Sequence, residues 1–511
     1  MKNYTRSLGI GAFATMSLLL ASCSQDQSTT SENQQSKNKK DIPEMTFYAL
    51  GGGLMLDQYS TSDPENVINS VQISGLQADE KILSIDFRPA TGQLYGLGSS
   101  SRIYVINQDS GTARAIGLAP FSPALEGSIA GFDFNPTVDR IRVVTSSGQN
   151  FRLNPETGAL AASDLAINGA PGVMIAAVAY TNNVAGAATT TLYDIDTVSD
   201  KLYKQIPPNN GTLVEVGSLG LNIEGEGGFD ISYENDLALG LFESSNKSNL
   251  FLVNLNTGNT VTLAKYSKTL MYTGIAIPTR PVAYAVNDAN QLLIFNPENT
   301  ATVTSKAIVG LAAGEKVLGI DFRPLNGQLF AVGSTSRLYT INASSGAATA
   351  AGAPFTTALS GTQFGVDFNP VVDRVRIVSN TGQNLRVNPA NGVVIVDSPL
   401  NPGTPMVSAA AYANNFAGTT STMLFDIDVD TDKLYLQSPP NAGTLVEIGA
   451  LGINVEGSSG FDIGGRSAIP YALLTSGGIT SLYTINKTTG AATMKGSFSA
   501  AVTGFTVGLG F

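Results

Sequence analysis

The chain repeats itself, and at two lengths. Ile85-Asp86-Phe87-Arg88-Pro89 returns as Ile320-Asp321-Phe322-Arg323-Pro324, and Asp133-Phe134-Asn135-Pro136 as Asp367-Phe368-Asn369-Pro370. Gly148-Gln149-Asn150 returns as Gly382-Gln383-Asn384, and Pro207-Pro208-Asn209 as Pro439-Pro440-Asn441. Offsets of 235, 234 and 232 residues separate such pairs, so two halves, 46–278 and 281–511, align with very small gaps. Inside each half a unit of roughly 35–50 residues recurs. It runs Leu83–Phe87, a turn to Gly92, Gln93–Leu97, Arg102–Asn107, a turn to Gly111, then Thr112–Ile116. Related units begin near Gly131, Ile175 and Gly228, and again near Leu318, Gly365, Val407 and Gly460. Four short strands per repeat with Asx, Thr and Gly turns is the pattern of a propeller blade. Low charge (14%), 43% apolar residues and 54 Gly in 511 agree with an all-β chain.

The ends of the repeats carry the closure. Thr46–Leu50 reads as a second blade strand with no first before it, and Thr506–Phe511 as a first strand with nothing after it. Tyr272–Pro278 and Val282–Val286 form the same pair at the midpoint. Each half can therefore close its own ring by giving its last strand to its first blade, which removes unpaired sheet edges. The expectation is an all-β tandem β-propeller, two five-bladed rings of four-stranded antiparallel blades, over 45–279 and 280–511. The competing reading is one ten-bladed ring with Thr279-Arg280 as a hairpin turn; ten exceeds the typical 4–8 blades.

Residues 1–22 read as a processing signal. Lys2 and Arg6 supply the positive end, an apolar run extends from Leu8 to Ala21, and Leu20-Ala21-Ser22-Cys23 resembles a bacterial lipobox. In such signals the peptide is cleaved before the Cys and the thiol is acylated, by palmitate among other chains. Cys23 is the only Cys in the chain. Several acyl chains anchor stably, each buried CH₂ adding about 0.8 kcal/mol. Ser24-Gln25 follows, with no Asp directly after the Cys, which by resemblance to Gram-negative sorting rules favours the outer membrane. Residues 23–44, rich in Ser, Gln, Asn, Thr and Lys, read as a disordered tether. Cleavage leaves 27 Lys and Arg against 40 Asp and Glu, a net charge of −13, which disfavours nucleic acid as a partner. The chain has no His. That removes Ser-His-Asp and Cys-His catalysis and His-based metal sites, and a lone Cys removes a disulfide framework.

Three motifs appear in both halves. They are Asp-Phe-Asn-Pro-x-x-Asp-Arg-x-Arg (133–142, 367–376), Gly-Gln-Asn-x-Arg-x-Asn-Pro (148–155, 382–389) and Tyr/Phe-Asp-Ile-Asp (193–196, 425–428). Together they resemble the bacterial domain-of-unknown-function family 4394, in two tandem copies covering nearly all of the mature chain. The resemblance implies a repeated architecture and an envelope or secreted setting, and it transfers no activity or catalytic residue. The halves differ most near Tyr233–Glu243 and Gly464–Ala472.

Two sets of residues are candidates for chemistry. Asp426, Asp428, Asp430 and Asp432 alternate, with Asp194, Asp196 and Asp200 as counterparts. Such carboxylates can gather hard oxygen ligands for calcium and repel one another without a counter-cation; the plainer alternative is a solvated hairpin whose Asp side chains cap turn amides. Arg140, Arg142 and Arg152, with Arg374, Arg376 and Arg386, could bind an acidic ligand such as a uronate through bidentate forks. Their alternative is a ladder of Arg–Asp pairs between blades, with Asp133, Asp139, Asp367 and Asp373 beside them. Asp also recurs at 86, 230, 321 and 462, which points to a structural role in every blade. No carboxylate pair stands out for glycoside hydrolysis. The functional expectation is a lipid-anchored envelope protein, a non-catalytic binding or scaffold module for a protein or glycan. The alternative is a calcium-assisted hydrolase, lactonase or lyase with its site at a channel mouth; a third reading is a structural spacer within a lipoprotein assembly.

Overall fold

The computed structural model describes residues 42–267, 269–457 and 460–511. These form ten four-stranded antiparallel sheets. Five inner strands pack in a circle: Ile82–Phe87, Ala130–Asn135, Ile175–Tyr180, Glu224–Ile231 and Tyr272–Ala276, the last returning to the first. Tyr272–Ala276 pairs with Thr46–Gly51 and so completes the first blade. A second circle runs Val317–Arg323, Phe364–Asn369, Val407–Tyr412, Gly460–Ile463 and Gly504–Val507, closed by the pairing of Gly504–Val507 with Ala283–Val286. The fold is two five-bladed rings, and the single ten-bladed ring is excluded. The terminal strands reach their own half's first blade, so each ring satisfies its edges internally.

Five blades leave little room at an axis. On each inner strand, two residues before its Asp or the Ala or Thr in that place, the side chain is small. The positions are Ser84, Gly131, Ala177, Gly228 and Gly274 in one ring, and Gly319, Gly365, Ala409, Gly460 and Gly504 in the other. A Cβ on Gly228 would lie 2.3 Å from the Ile275 nitrogen, and one on Gly460 2.3 Å from the Phe505 Cβ. The glycines thus let neighbouring backbones meet. The cores lie between blades: Tyr95 and Leu97 pack on Phe132, Phe134, Ile141 and Val143 of the next blade, with the Tyr95 and Phe134 rings 5.1 Å apart edge to face.

Ile42, Pro43 and Glu44, assigned to the tether by composition, sit against the first blade. Ile42 packs on the cluster of Phe47 and Tyr59, and the Pro43 carbonyl accepts the Thr61 hydroxyl at 2.6 Å. The signal at 1–22, the remainder of the tether and Cys23 lie outside the described residues.

The two rings are joined by a buried ion network. Arg88, wholly buried, donates from Nε and Nη2 to Asp139 at 2.8 and 2.5 Å, from Nη2 to Glu156 at 3.0 Å, and from Nη1 to the Gly327 carbonyl of the second ring at 2.9 Å. The Tyr284 hydroxyl donates to the Ala90 carbonyl at 2.9 Å, and Arg466 forks onto Asp109 at 2.8 and 2.9 Å. The final strand, expected to run to Phe511, ends at Val507 because residues 508–511 cross to the first ring, where the Gly510 N–H donates to the Thr91 carbonyl. The duplicated pair Arg323–Asp373 has the same fork but remains partly exposed, at 17% and 32%. The same sequence motif is therefore buried only where the other ring covers it.

Candidate functional site: carboxylates on the ring axes

One Asp from each of three inner strands converges in each ring: Asp86, Asp133 and Asp230, then Asp321, Asp367 and Asp462. Within each trio the facing oxygens lie within 4.8 Å of one another, and all six residues are buried. The remaining places of the five-fold ring hold Ala179 and Ala276 in the first ring, Ala411 and Thr506 in the second. Five of the six carboxylates strap their own strand to the next. Asp86 accepts the Phe87 and Phe134 N–H groups at 2.7 and 2.8 Å; Asp230 accepts those of Ile231 and Ile277, both at 2.6 Å. Asp462 accepts Ile463 and Val507 at 2.6 and 2.7 Å, while Asp133 and Asp321 reach Tyr180 and Phe368. Asp367 differs: neither of its oxygens has a partner at hydrogen-bond geometry.

Burial, then mutual repulsion, keeps these carboxyls protonated to unusually high pH. Asp86, Asp133, Asp321 and Asp367 are all raised well above the ordinary carboxyl value. Burial pushes Asp230 up to about 7 and Asp462 to about 6, against the pull of their backbone hydrogen bonds. Thr506 Oγ1 lies 2.9 Å from both Asp321 and Asp462. One hydroxyl hydrogen cannot serve two carboxylates, so one of these contacts uses a carboxyl proton. The trios are thus compact proton-sharing clusters, and the residues best placed to hold a cation. Room beside them is small: in the second ring the axial cavity, lined by Gly319, Gly365, Ala409, Gly460 and Gly504, has a volume of 10 Å³, about that of one water.

The acidic residues singled out in sequence are divided among other tasks. Asp426 and Asp194 are buried on second strands, with both oxygens of each unpartnered. Burial pushes Asp426 up to about 8 and Asp194 well above its ordinary value, the nearby Arg376 and Arg142 pulling the other way. Asp428 caps its hairpin by accepting the Met406, Asp430 and Thr431 N–H groups at 2.7, 3.0 and 3.0 Å, and Asp196 does the same for Met174, Val198 and Ser199. Asp432 and Asp200, both at positive φ, accept Val455 and Ile223. Asp430 is exposed. Among the described residues no three of these carboxylates are brought within ligand distance of one another.

The arginines are engaged within the fold. Arg142, buried, reaches Asp164 at 2.6 Å, Asn150 at 2.7 Å, Asn209 at 2.7 Å and Tyr180 at 3.3 Å, and Arg152 forks onto the same Asp164 at 2.8 Å. Arg376 and Arg386 repeat this around Asp397. Both guanidinium groups hold Asp164, and likewise Asp397, below the ordinary carboxyl value. Arg140 and Arg374 donate to the carbonyls of Asp139 and Asp373. Sequence reading missed the convergence of the axial Asp residues as a site. Its signal was present in the recurrence of Asp one position before an apolar residue on inner strands.

Comparison with solved structures gives only remote likeness. The extracellular domain of the one component system BT4673 of B. thetaiotaomicron is 10% identical, with a TM-score of 0.27, over 89% of this chain and 65% of that one. PorZ, a bacterial surface component of the type-IX secretion system of Porphyromonas gingivalis, is 12% identical, with a TM-score of 0.26, over 89% and 58%. This chain spans less than two thirds of either, and nothing in the fold or the site rests on them. No curated protein matches the chain. Among the described residues no helix is long and apolar enough to cross a membrane. A family model matches twice, over residues 55–276 and 291–506, the two rings found above. The chain belongs to the family described as Domain of unknown function (DUF4394), of which it carries two tandem copies.

Proposed function

We propose that the protein is a lipid-anchored, non-catalytic binding module of the bacterial cell envelope, holding an envelope protein or glycan on the surface of its joined rings. The observation that carries this reading is how the reactive side chains are used. The six axial carboxylates are buried and five of them strap inner strands together, and Arg142, Arg152, Arg376 and Arg386 are bound to Asp164 and Asp397. What faces solvent in concave regions is backbone, turn residues and the seam between the rings. Rigid scaffolds presenting loops suit binding, and the lipobox ending in Cys23 supplies an anchor, with Ser24-Gln25 in favour of the outer membrane.

Affinity capture of the tagged full chain after mild crosslinking in its native envelope tests the reading, with proteins and glycans both identified. Stoichiometric recovery of one of them is expected, together with a shift from membrane to soluble fraction for Cys23→Ser. Turnover of a polysaccharide or lactone by the purified protein, with nothing recovered on capture, overturns it.

A further inference from the structure

Between the rings runs a groove of 640 Å³, the size of a pocket for a small organic ligand. One wall is the outer part of the second blade, carrying Gln93, Gln108 and Arg114; the other carries Phe416 and Arg466 of the second ring. Arg466 is neutralised by Asp109 across the groove, at 2.8 and 2.9 Å, which fixes the two walls relative to each other. Arg114 is different. Its guanidinium makes no ion pair or hydrogen bond among the described residues, although it is half-buried and burial lowers its pKa. A partly desolvated cation without a counter-ion is costly, and more conspicuous on a chain of net charge −11. Facing Arg114, Phe416 is 44% exposed, a flat apolar surface in a loop.

We infer that this groove binds a carboxylate-bearing saccharide, with Arg114 receiving the carboxylate and Phe416 covering an apolar sugar face. The inference rests on the binding-module reading and assigns it a site and a ligand class. A free guanidinium supplies charge-assisted bidentate recognition of one carboxylate. An aromatic face complements the C–H side of a pyranose. A glutamate oligomer shares the charge but offers the exposed Phe416 ring no rigid C–H face.

The test is calorimetry of the full chain in detergent with three probes: tetragalacturonate, a mannuronate tetramer and a hyaluronan tetrasaccharide. A neutral galactose tetramer and tetraglutamate are the controls. Binding of at least one uronate probe is expected, with neither control binding. Arg114→Gln should weaken it at least ten-fold. Phe416→Ala, in an exposed loop away from the strands, should weaken it several-fold with the melting temperature unchanged. Binding of no uronate, equal binding of tetraglutamate, or affinity untouched by both substitutions overturns the inference. Envelope capture run in parallel separates the two claims. A stoichiometric partner recovered equally by wild type and Arg114→Gln overturns the groove assignment while leaving the binding module standing; no partner in either overturns both.

Discussion

Replacing Asp426 with Asn exchanges a buried carboxyl for a group that is neutral at every pH. In the native fold both Asp426 oxygens are unpartnered, and burial raises its pKa from 3.8 to about 8. The folded state then keeps a proton that the unfolded chain loses above 3.8. Stability from this residue is complete below 3.8, falls as pH rises, and levels off above about 8. At 1.36 kcal/mol per pH unit, the loss between pH 5 and pH 8 is about 4 kcal/mol. Asn leaves its own polar atoms as unpartnered as the protonated acid does, so that offset is independent of pH and cancels in the slope. Urea unfolding of both proteins at pH 5, 6, 7 and 8 reads the difference. The Asn variant should gain on wild type by about 4 kcal/mol across the series. Parallel curves, within about 1 kcal/mol, would refute the reasoning. They would mean that the carboxylate is ionised throughout, as a bound counter-cation would make it.

Further outcomes follow from the same geometry. Asp367→Asn should stabilise the protein increasingly as pH rises from 5 to 8, because burial makes the folded wild type hold a proton there that the unfolded chain loses, and Asn has none to hold; Asp462→Asn should cost about 2 kcal/mol, since both its oxygens accept backbone N–H groups. Thermal melting distinguishes the signs. Arg88→Met should cost about 3–5 kcal/mol by leaving Asp139 and Glu156 buried without their cation, whereas Arg323→Met, in the exposed copy, should cost about 1 kcal/mol or less in the same unfolding assay. Gly460→Val should prevent closure of the second ring, since its first added carbon meets Phe505; limited proteolysis would then cut the second half.

Much of the fold was legible because repeats expose their own grammar. A second strand without a first at Thr46, and a first without a second at Thr506, allow closure within each half, and that pairing is present. The seam between the rings was not legible, since Arg88 and Arg323 occupy identical motifs and only tertiary placement buries one of them. The acidic run misled for a reason of strand geometry. Asp426 and Asp428 are two residues apart on one strand, a rise of about 7 Å, and the turn then carries Asp430 and Asp432 elsewhere. Convergence of carboxylates came instead from three different blades, a distance along the chain that no local spacing encodes. Arg114 and Phe416 lie about 300 residues apart and face one groove for the same reason.

Binding without turnover is tested most directly by incubating the full chain with uronate-containing envelope polysaccharide and reading, in one sample, polymer bound per protein and polymer chain length. Saturable binding with chain length unchanged is the predicted result. Shortened chains accumulating with time and protein concentration would contradict it.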